Sequence, residues 1–591
     1  MKVLEKRNKN IIIGKMLRDA AFGIILMEIA GAITYIIDGI MTSRFLGDFA
    51  LAASGIASVS YTILAIISGV ISAGGQKICC SEIGNGKKEQ ANRTFSMVFF
   101  ITLVVSIIIA LLGIIFSGLL ASLMGAGVKD ATLHNNTSDY IRGFFIGAPG
   151  HIFVAVLIPL VQLNGSNKLI TASIVALTIS DIAGDFLNVA VLGWGLFGMG
   201  FATSMSYYIS AIVLLLSFIS KNSLFKISFK KLCFDNLRQL IRIGMPRATK
   251  RIGNFLRPFF INRLILFAGA GVAMASFTVQ QNIRYLAESV GVGIGGAVFL
   301  IVGIFLGEKD IDSLVATSKK ALQYILIFVG GLAIIYFVLS PLLARLYLDT
   351  NSTSYSGAVT VLRCHAVSLP FLAFNEYYIN LLQAEEKIRL TNVVTLMNKL
   401  VYIVIISFIL VYPFGTIGLW LSIPISEILL TATIILANGI KNKSNPNRKS
   451  FFSMFDDVDI KQGSHVEFVI NSKEEFGEMQ NKVIDFCNKL GIDRKTAYMI
   501  QLFFEEVTML IINHGFDHRK NYSINIRIYK DEDEIILRTK DNCKAFSAKE
   551  QDEMYRKIKE NEYLGISMVT KLARKVDYIN VMNINNFIIT I

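Results

Sequence analysis

The sequence predicts an all-α polytopic membrane protein of twelve helices, built as two six-helix repeats and followed by a small cytoplasmic α/β sandwich domain. Three observations predict it. The 591 residues are 53% hydrophobic and only 17% charged, with a mean hydropathy of +0.54, where a soluble globular chain is about 25% charged. The net charge of +14 is unevenly placed: residues 1–445 carry 36 Lys/Arg against 21 Asp/Glu, and residues 446–591 carry 22 against 23. The surplus therefore lies between apolar segments, which is a membrane pattern and not a nucleic-acid footprint. Beyond about residue 441 the composition changes to a polar linker and then to a mixed α/β pattern.

A helix crossing about 30 Å of hydrocarbon needs roughly 20 mostly apolar residues. Such segments fall at 20–45, 51–78, 95–120, 141–162, 169–191, 201–220, 252–269, 274–305, 321–346, 358–382, 390–412 and 416–438. The basic start (Lys2, Lys6, Arg7, Lys9) imitates a signal peptide, but the apolar run continues past Asp38 without a small-residue cleavage site. It reads as a first membrane helix. Lys87, Lys88, Arg93, Lys168, Lys309, Lys387, Arg389 and the stretch 221–251 all fall on one side of this topology. The positive-inside rule then places both termini in the cytoplasm of a multi-pass plasma-membrane protein. The six cysteines have neither disulfide-framework nor zinc-site spacing.

An internal repeat divides the spans. LGDFALAA (46–53) echoes AGAGVAMA (268–275), GVISAGGQ (69–76) echoes GVGIGGAV (291–298), and GNGKK (84–88) echoes LGEKD (306–310). VQLNGSNK (161–168) and GLFGMG (195–200) have weaker counterparts at 382–387 and 415–420. The order and similar offsets argue for two parallel six-helix halves around a central cleft, an architecture suited to alternating access. The expected units are 1–220, a basic cytoplasmic connection at 221–251, 252–440, a linker at 441–460, and a C-terminal domain at 461–591.

With DGIMTSRFLGDFALAA (38–53), GGQKICCSEIGNGKKEQAN (74–92), QLNGSNK (162–168), DIAGDFLNVAVLGWGLFGMGFAT (181–203) and GMP (244–246) in place, residues 15–440 resemble the multidrug and toxic compound extrusion transporters. The resemblance implies an antiporter that exports small organic molecules against protons or sodium.

Ionisable residues inside hydrocarbon are costly and mark function. Asp181 and Asp185 are spaced i,i+4 and share one helix face. Two carboxylates in a low dielectric do not both stay ionised unless a cation joins them. The resemblance adds Asp38 on the first helix, and Thr203, Asn188 and Tyr140 are further candidate ligands of the coupling ion. Asp181 stands where many relatives carry Asn, which favours proton over sodium coupling. The second half differs, with Arg263 and Arg284 in apolar segments against Glu288 and Glu376. A basic cleft there would favour an anionic or zwitterionic substrate.

The C-terminal pattern is a strand at 465–470, helices at 473–490 and 494–514, strands at 522–529 and 534–540, a helical stretch at 547–559, a short helix after Gly565, and strands near 576–582 and 586–591. FFEEVTMLIINHG (503–515), DNCKAF (541–546) and YLGISMVTKLARKVDY (563–578) resemble, in that order, the ATP-binding domain of the gyrase, histidine kinase and MutL superfamily. The resemblance makes Glu506, His514, Asp541, Phe546 and Gly565 candidate nucleotide residues. Leu510 occupies the place of the magnesium-binding Asn and Cys543 that of a Gly, so ATP is a candidate ligand of a degenerate domain without a dependable magnesium site. The expected partners are a small-molecule substrate, membrane lipid and a cytoplasmic regulatory protein, with no nucleic acid. A membrane-anchored kinase-like signalling protein and a lipid-linked saccharide flippase are the alternatives. Primary ATP-driven pumping is disfavoured because no GxxxxGK[ST] loop is present.

Overall fold

A computed structural model of the chain describes residues 2–46, 48–57, 59–124, 126, 131–219, 223–226, 234–352, 354–444, 451–452, 465–470, 475–515, 523–531, 534–543, 568–569, 571–582 and 584–591. Some side chains within the helices stand outside that description, among them those of residues 1–11, 262–263 and 513–515. The first half comprises α1 (Lys2–Met41), α2 (Asp48–Ala57), α3 (Val59–Gly84), α4 (Lys88–Ile115), α5 (Ser117–Met124), α6 (Ala131–Ile146), α7 (Ala148–Leu163), α8 (Asn167–Leu187) and α9 (Gly195–Ile219). The second comprises α10 (Leu237–Gly307), α11 (Ile311–Tyr324), α12 (Gly330–Arg345), α13 (Tyr355–Ala384), α14 (Ile388–Leu396) and α15 (Tyr402–Ser444).

Among the described residues, eight helices are long and apolar enough to cross a bilayer, or nine if the bent pair α6–α7 forms one span. The expected segmentation changes at 141–162. The 141–162 span is broken by a 49° bend between α6 and α7. Gly147 at the bend presses on α9, where a Cβ would lie 2.5 Å from the Cα of Ser204. The expected spans 252–269 and 274–305 both lie in α10. Ile261 and Phe277 nevertheless line one cavity, whereas a straight helix would separate them by about 24 Å, so the chain doubles back between them. The boundary expected between 390–412 and 416–438 is present inside α15, where Gly415 (φ 56°, ψ −133°) breaks the helix.

Apolar side chains point outward along α4 (Ile108, Leu111, Ile115) and α12 (Ile334, Ile335, Val338), as lipid-facing helices require. Inside, α3 and α10 approach to backbone contact. A Cβ on Gly84 would sit 2.2 Å from the Ile304 carbonyl oxygen, and one on Gly307 would sit 2.3 Å from that of Ser81. These two glycines belong to the paired repeat segments 84–88 and 306–310.

The appended region contains β1 (His465–Ile470), α16 (Phe476–Lys489), α17 (Arg494–Gly515), β2 (Ile524–Asp531), β3 (Glu534–Asp541), β4 (Lys575–Val581) and β5 (Ile584–Thr590). The strands form an antiparallel sheet in the order β1-β2-β3-β5-β4. Strand side chains alternate between faces. Ile526, Ile528, Leu537, Phe587 and Ile589 pack with Phe486, Phe503 and Phe504 of α16 and α17. The opposite face, with Arg527, Arg538 and Ile588, meets the helical bundle. The expected element order holds over the described residues, and the helical stretch expected at 547–559 lies outside them.

Candidate transport sites

Helices α1 and α8 carry the first-half acids into one buried pocket, against α9. Asp181 and Asp185 are fully buried, and among the described residues their carboxylates meet only the hydroxyls of α9 and the carboxyl of Asp38, with no well-formed hydrogen bond to any of the four oxygens. Asp38 on α1 lies within electrostatic reach of both, and its own Oδ1 is buried without a partner. The hydroxyls of Thr203 and Ser206, one turn apart on α9, stand beside Asp181. Tyr61 on α3 and Tyr207 on α9 close the pocket, with Tyr140 nearby. His151 packs on Tyr207 (ring centroids 4.6 Å apart), and its Nδ1 is buried without a partner.

Of the six expected ion ligands, Asp38, Asp181, Asp185 and Thr203 gather in this pocket, and Tyr140 stands behind it, beside Tyr61. Asn188 does neither. Its Nδ2 donates to the Gly195 carbonyl at 2.9 Å, and its Oδ1 accepts from the Trp194 amide at 3.1 Å. The side chain thus closes the α8–α9 turn, where Gly193 and Gly195 adopt positive φ. Tyr61, Ser206, Tyr207 and His151 are additions that the sequence does not signal, because hydroxyls and aromatic rings in apolar runs carry no mark of their own.

The second half concentrates charge of both signs. Glu376 on α13 pairs with Lys399 at 2.7 Å and Lys250 at 2.8 Å. Arg247, one turn before Lys250 on α10, donates to Asn380 Oδ1 at 3.3 Å. Glu427 on α15 accepts from Asn375 at 2.7 Å and Asn398 at 2.9 Å. Glu288 lies 3.6 Å from Arg284 and 3.3 Å from His365, whose other ring nitrogen is 3.2 Å from the Tyr336 hydroxyl. Arg257 is an electrostatic neighbour of Arg284, Glu288 and Glu427.

Arg284, Glu288 and Glu376 therefore belong to one buried polar region, and the side chain of Arg263 lies outside the described residues. Arg247 and Lys250 correct the reading of 221–251 as a cytoplasmic connection. Helix α10 already begins at Leu237 and carries both cations inward against Asn380 and Glu376. Glu427 and Lys399 join the region as well, and their signal in the sequence is that of ions within apolar segments.

In the appended region, Asp541 ends β3. Its Oδ1 accepts from the Cys543 amide at 2.9 Å and Asn585 Nδ2 at 2.7 Å, while its buried Oδ2 has no well-formed hydrogen bond among the described residues. Burial pushes this carboxyl above the ordinary aspartate range, against the hydrogen bonds from Asn585 and Cys543. Glu506 on α17 is half-buried, and burial first, then Glu505, raises its carboxyl. Leu510, 6% exposed, packs into the apolar core beneath the sheet. It brings no oxygen or nitrogen to that place, so the residues there do not fit a magnesium site. The side chain of His514, and Phe546 and Gly565, lie outside the described residues.

The MatE family profile matches residues 24–187 and 253–417. The chain is 23% identical over 363 residues to the uncharacterized transporter YisQ of Bacillus subtilis (strain 168), covering 59% of this chain and 76% of YisQ. It is 21% identical over 432 residues to the multidrug export protein MepA of Staphylococcus haemolyticus (strain JCSC1435), covering 72% and 94%. The fold resembles a crystal structure of MATE in complex with MaL6, with a TM-score of 0.68 and 20% identity over 73% of this chain and 97% of that one. A MOP superfamily transporter from Pyrococcus furiosus, described as having a binding pocket of reverse polarity that suggests a different function, gives a TM-score of 0.67 at 20% identity over 73% and 96%. The matched segments of the family profile fall one in each half, the first holding Asp38, Asp181 and Asp185 and the second Arg257, Arg284, Glu288, Glu376 and Lys399. The chain is a multi-pass membrane protein that belongs to the MatE family.

Proposed function

We propose that the protein is an exporter of small organic molecules, driven by entry of protons or sodium through the first-half acid pocket. One observation carries this reading: three buried carboxyls, Asp38, Asp181 and Asp185, crowd together with no cationic side chain among their described neighbours. A buried carboxylate without a partner is costly. A proton or sodium ion removes that cost, so cation binding favours the state in which this pocket is closed. The hydroxyls of Thr203 and Ser206 offer oxygen ligands, and the additional acid at Asp181 favours the proton. The names of the relatives MepA and YoeA, a multidrug export protein and a probable multidrug resistance protein, support small organic molecules as cargo.

In the second half, six cations (Arg247, Lys250, Arg251, Arg257, Arg284, Lys399) stand in electrostatic reach of four carboxylates (Glu28 of α1, Glu288, Glu376, Glu427) among the described residues. This excess supports an acidic or zwitterionic group on the cargo, at the cluster holding Arg284, Glu288, Glu376 and the expected Arg263. In the appended region, the buried Oδ2 of Asp541 suits the amino group of an adenine ring, and Leu510 argues for nucleotide binding without magnesium-dependent turnover. Both termini are assigned to the cytoplasm, which protease access to end tags would test.

The deciding experiment places the purified chain in liposomes under a pH or sodium gradient and follows fluorescent dye efflux for wild type and Asp185→Asn. The expected result is gradient-driven efflux that the substitution abolishes. Efflux that persists undiminished in Asp185→Asn would overturn the coupling assignment. Absence of efflux of cationic and anionic dyes under both gradients would shift the weight to a lipid-linked saccharide, which the basic cluster also suits.

A further inference from the structure

The face of the appended sheet turned away from α16 and α17 lies over the seam where the two helical halves meet. On the first-half side, the Gly84 carbonyl accepts from Arg538 Nη2 at 2.7 Å, and that of Gly86 accepts from Lys575 at 3.4 Å. The Leu163 carbonyl accepts from the Met582 amide at 3.2 Å. On the second-half side, Arg538 Nη1 stands 3.2 Å from Glu308 Oε1, and Lys540 pairs with the same carboxylate. Arg527 donates to the carbonyls of Glu308 at 3.2 Å and Lys309 at 2.8 Å. One guanidinium, that of Arg538, therefore holds both halves. Ile579, Val581, Met582, Ile584 and Ile588 join the apolar core of the bundle around these contacts.

The contacts are buried, with Glu308 2%, Arg538 3% and Arg527 5% exposed. Removing one partner from such a group leaves a buried charge uncompensated, so the docked arrangement is well defined and not a loose surface contact. The gripped loops, 84–88 and 306–310, are the paired segments of the internal repeat. Between them α3 and α10 touch backbone to backbone at Gly84 and Gly307. Alternating access by rocking of two halves requires this seam to part when its mouth opens. A sheet bonded to both sides must first release one of them.

We propose that the appended sheet is a latch across the cytoplasmic ends of the two halves, which keeps that mouth shut while it is docked. The proposal rests on the alternating two-half reading above, and the basic loops at this end place it in the cytoplasm. The chain also has a direct tie across the seam, Lys77 to Glu386 at 3.4 Å, so latch and direct tie are separable by mutation.

The protein carries its own reporter. Cys80 on α3 is fully buried, and its Cβ lies 3.1 Å from where a Cβ on Gly303 of α10 would stand. Its thiol is sealed in the seam and reacts when the halves part. The full chain in lipid nanodiscs is treated with a maleimide, and modification of the peptide carrying Cys79 and Cys80 is followed by mass spectrometry. Wild type, Arg538→Ala and Glu308→Gln are compared, with hydrogen exchange of residues 84–88 and 306–310 measured in parallel. Both variants are expected to label about fivefold faster or more and to exchange faster in both loops. Glu308→Gln leaves the appended sequence intact, so agreement between the variants separates release from misfolding of the sheet.

Faster exchange with unchanged labelling would show a docked sheet that does not hold the seam, and would overturn the latch. Unchanged exchange and labelling would show that the direct tie suffices, and would overturn it equally. Labelling reads the seam without any cargo. Accelerated labelling in a chain that shows no gradient-driven efflux would therefore sustain the latch while removing the exporter assignment.

Discussion

In the first half, Asp181 and Asp185 bury two carboxylates that meet no cationic side chain among the described residues, whereas in the second half Glu376 holds two lysines and Glu427 two amides. Both regions bury ionisable groups in an apolar bundle, yet only one supplies their counter-charges from the chain. A fixed partner makes a charge part of the architecture. A missing partner leaves the pocket dependent on a mobile ion or proton. The difference teaches which charges to read as scaffold and which as machinery, a distinction that residue type alone does not give.

Substitutions test this contrast in descending order of effect. Glu376→Ala strands Lys250 and Lys399 in the bundle and is expected to destabilise it by about 3–5 kcal/mol, read as a fall in the thermal midpoint of the detergent-solubilised chain. Gly84→Ala drives a methyl into the Ile304 carbonyl where the halves cross, and is expected to cost about 1–3 kcal/mol in the same assay.

Asp181→Asn is expected to leave stability in that assay unchanged or raise it by about 1 kcal/mol, since it removes a buried carboxylate that no cationic side chain among the described residues compensates, while gradient-driven efflux falls at least about tenfold. A large drop in the Asp181→Asn midpoint alongside a stable Glu376→Ala chain would invert the comparison.

The smallest effect is expected in the appended sheet. Burial raises the Asp541 carboxyl in the folded state. Between the unfolded and folded values the native state binds more protons, so the favourable contribution of this group is present at acid pH and lost as pH rises through that window. Asp541→Asn carries no such dependence and keeps an oxygen for Asn585 and the Cys543 amide. It should therefore be more stable than wild type by about 1 kcal/mol at neutral pH, with the gap closing toward acid, measured by hydrogen exchange of β3. The same variant should lose binding of a fluorescent adenine nucleotide measured without magnesium, and retained binding would remove Asp541 from the nucleotide assignment.

The acid pocket was legible because aspartates inside apolar runs are rare and an i,i+4 pair places two on one face. Lys250 and Arg247 were hidden by their setting, since a basic stretch between spans reads as a loop until α10 is seen to start at Leu237. The bend at Gly147 was not legible either, whereas the break at Gly415 falls in the gap expected between 412 and 416. A glycine in an apolar run fits a straight helix and a bent one equally well, and only the neighbouring helix decides. The strands of the appended region followed from their alternation, but Arg527, Arg538 and Lys540 fall at the positions of a solvated face. Nothing in that alternation names the loops that cover them.

The two covered faces of the appended sheet bear on how the protein is made. One face is closed by α16 and α17, which are near in sequence, but the other is closed by segments around residues 84, 163 and 308, hundreds of residues upstream. Every one of those segments leaves the ribosome before β4 and β5 do, and domains fold in order of synthesis. The apolar strip from Ile579 to Ile588 thus finds its cover only on a bundle whose two halves have already been inserted and brought together. A chain with one half misplaced in the membrane would leave that strip bare, a ready mark for the chaperones and proteases that remove unfinished membrane proteins.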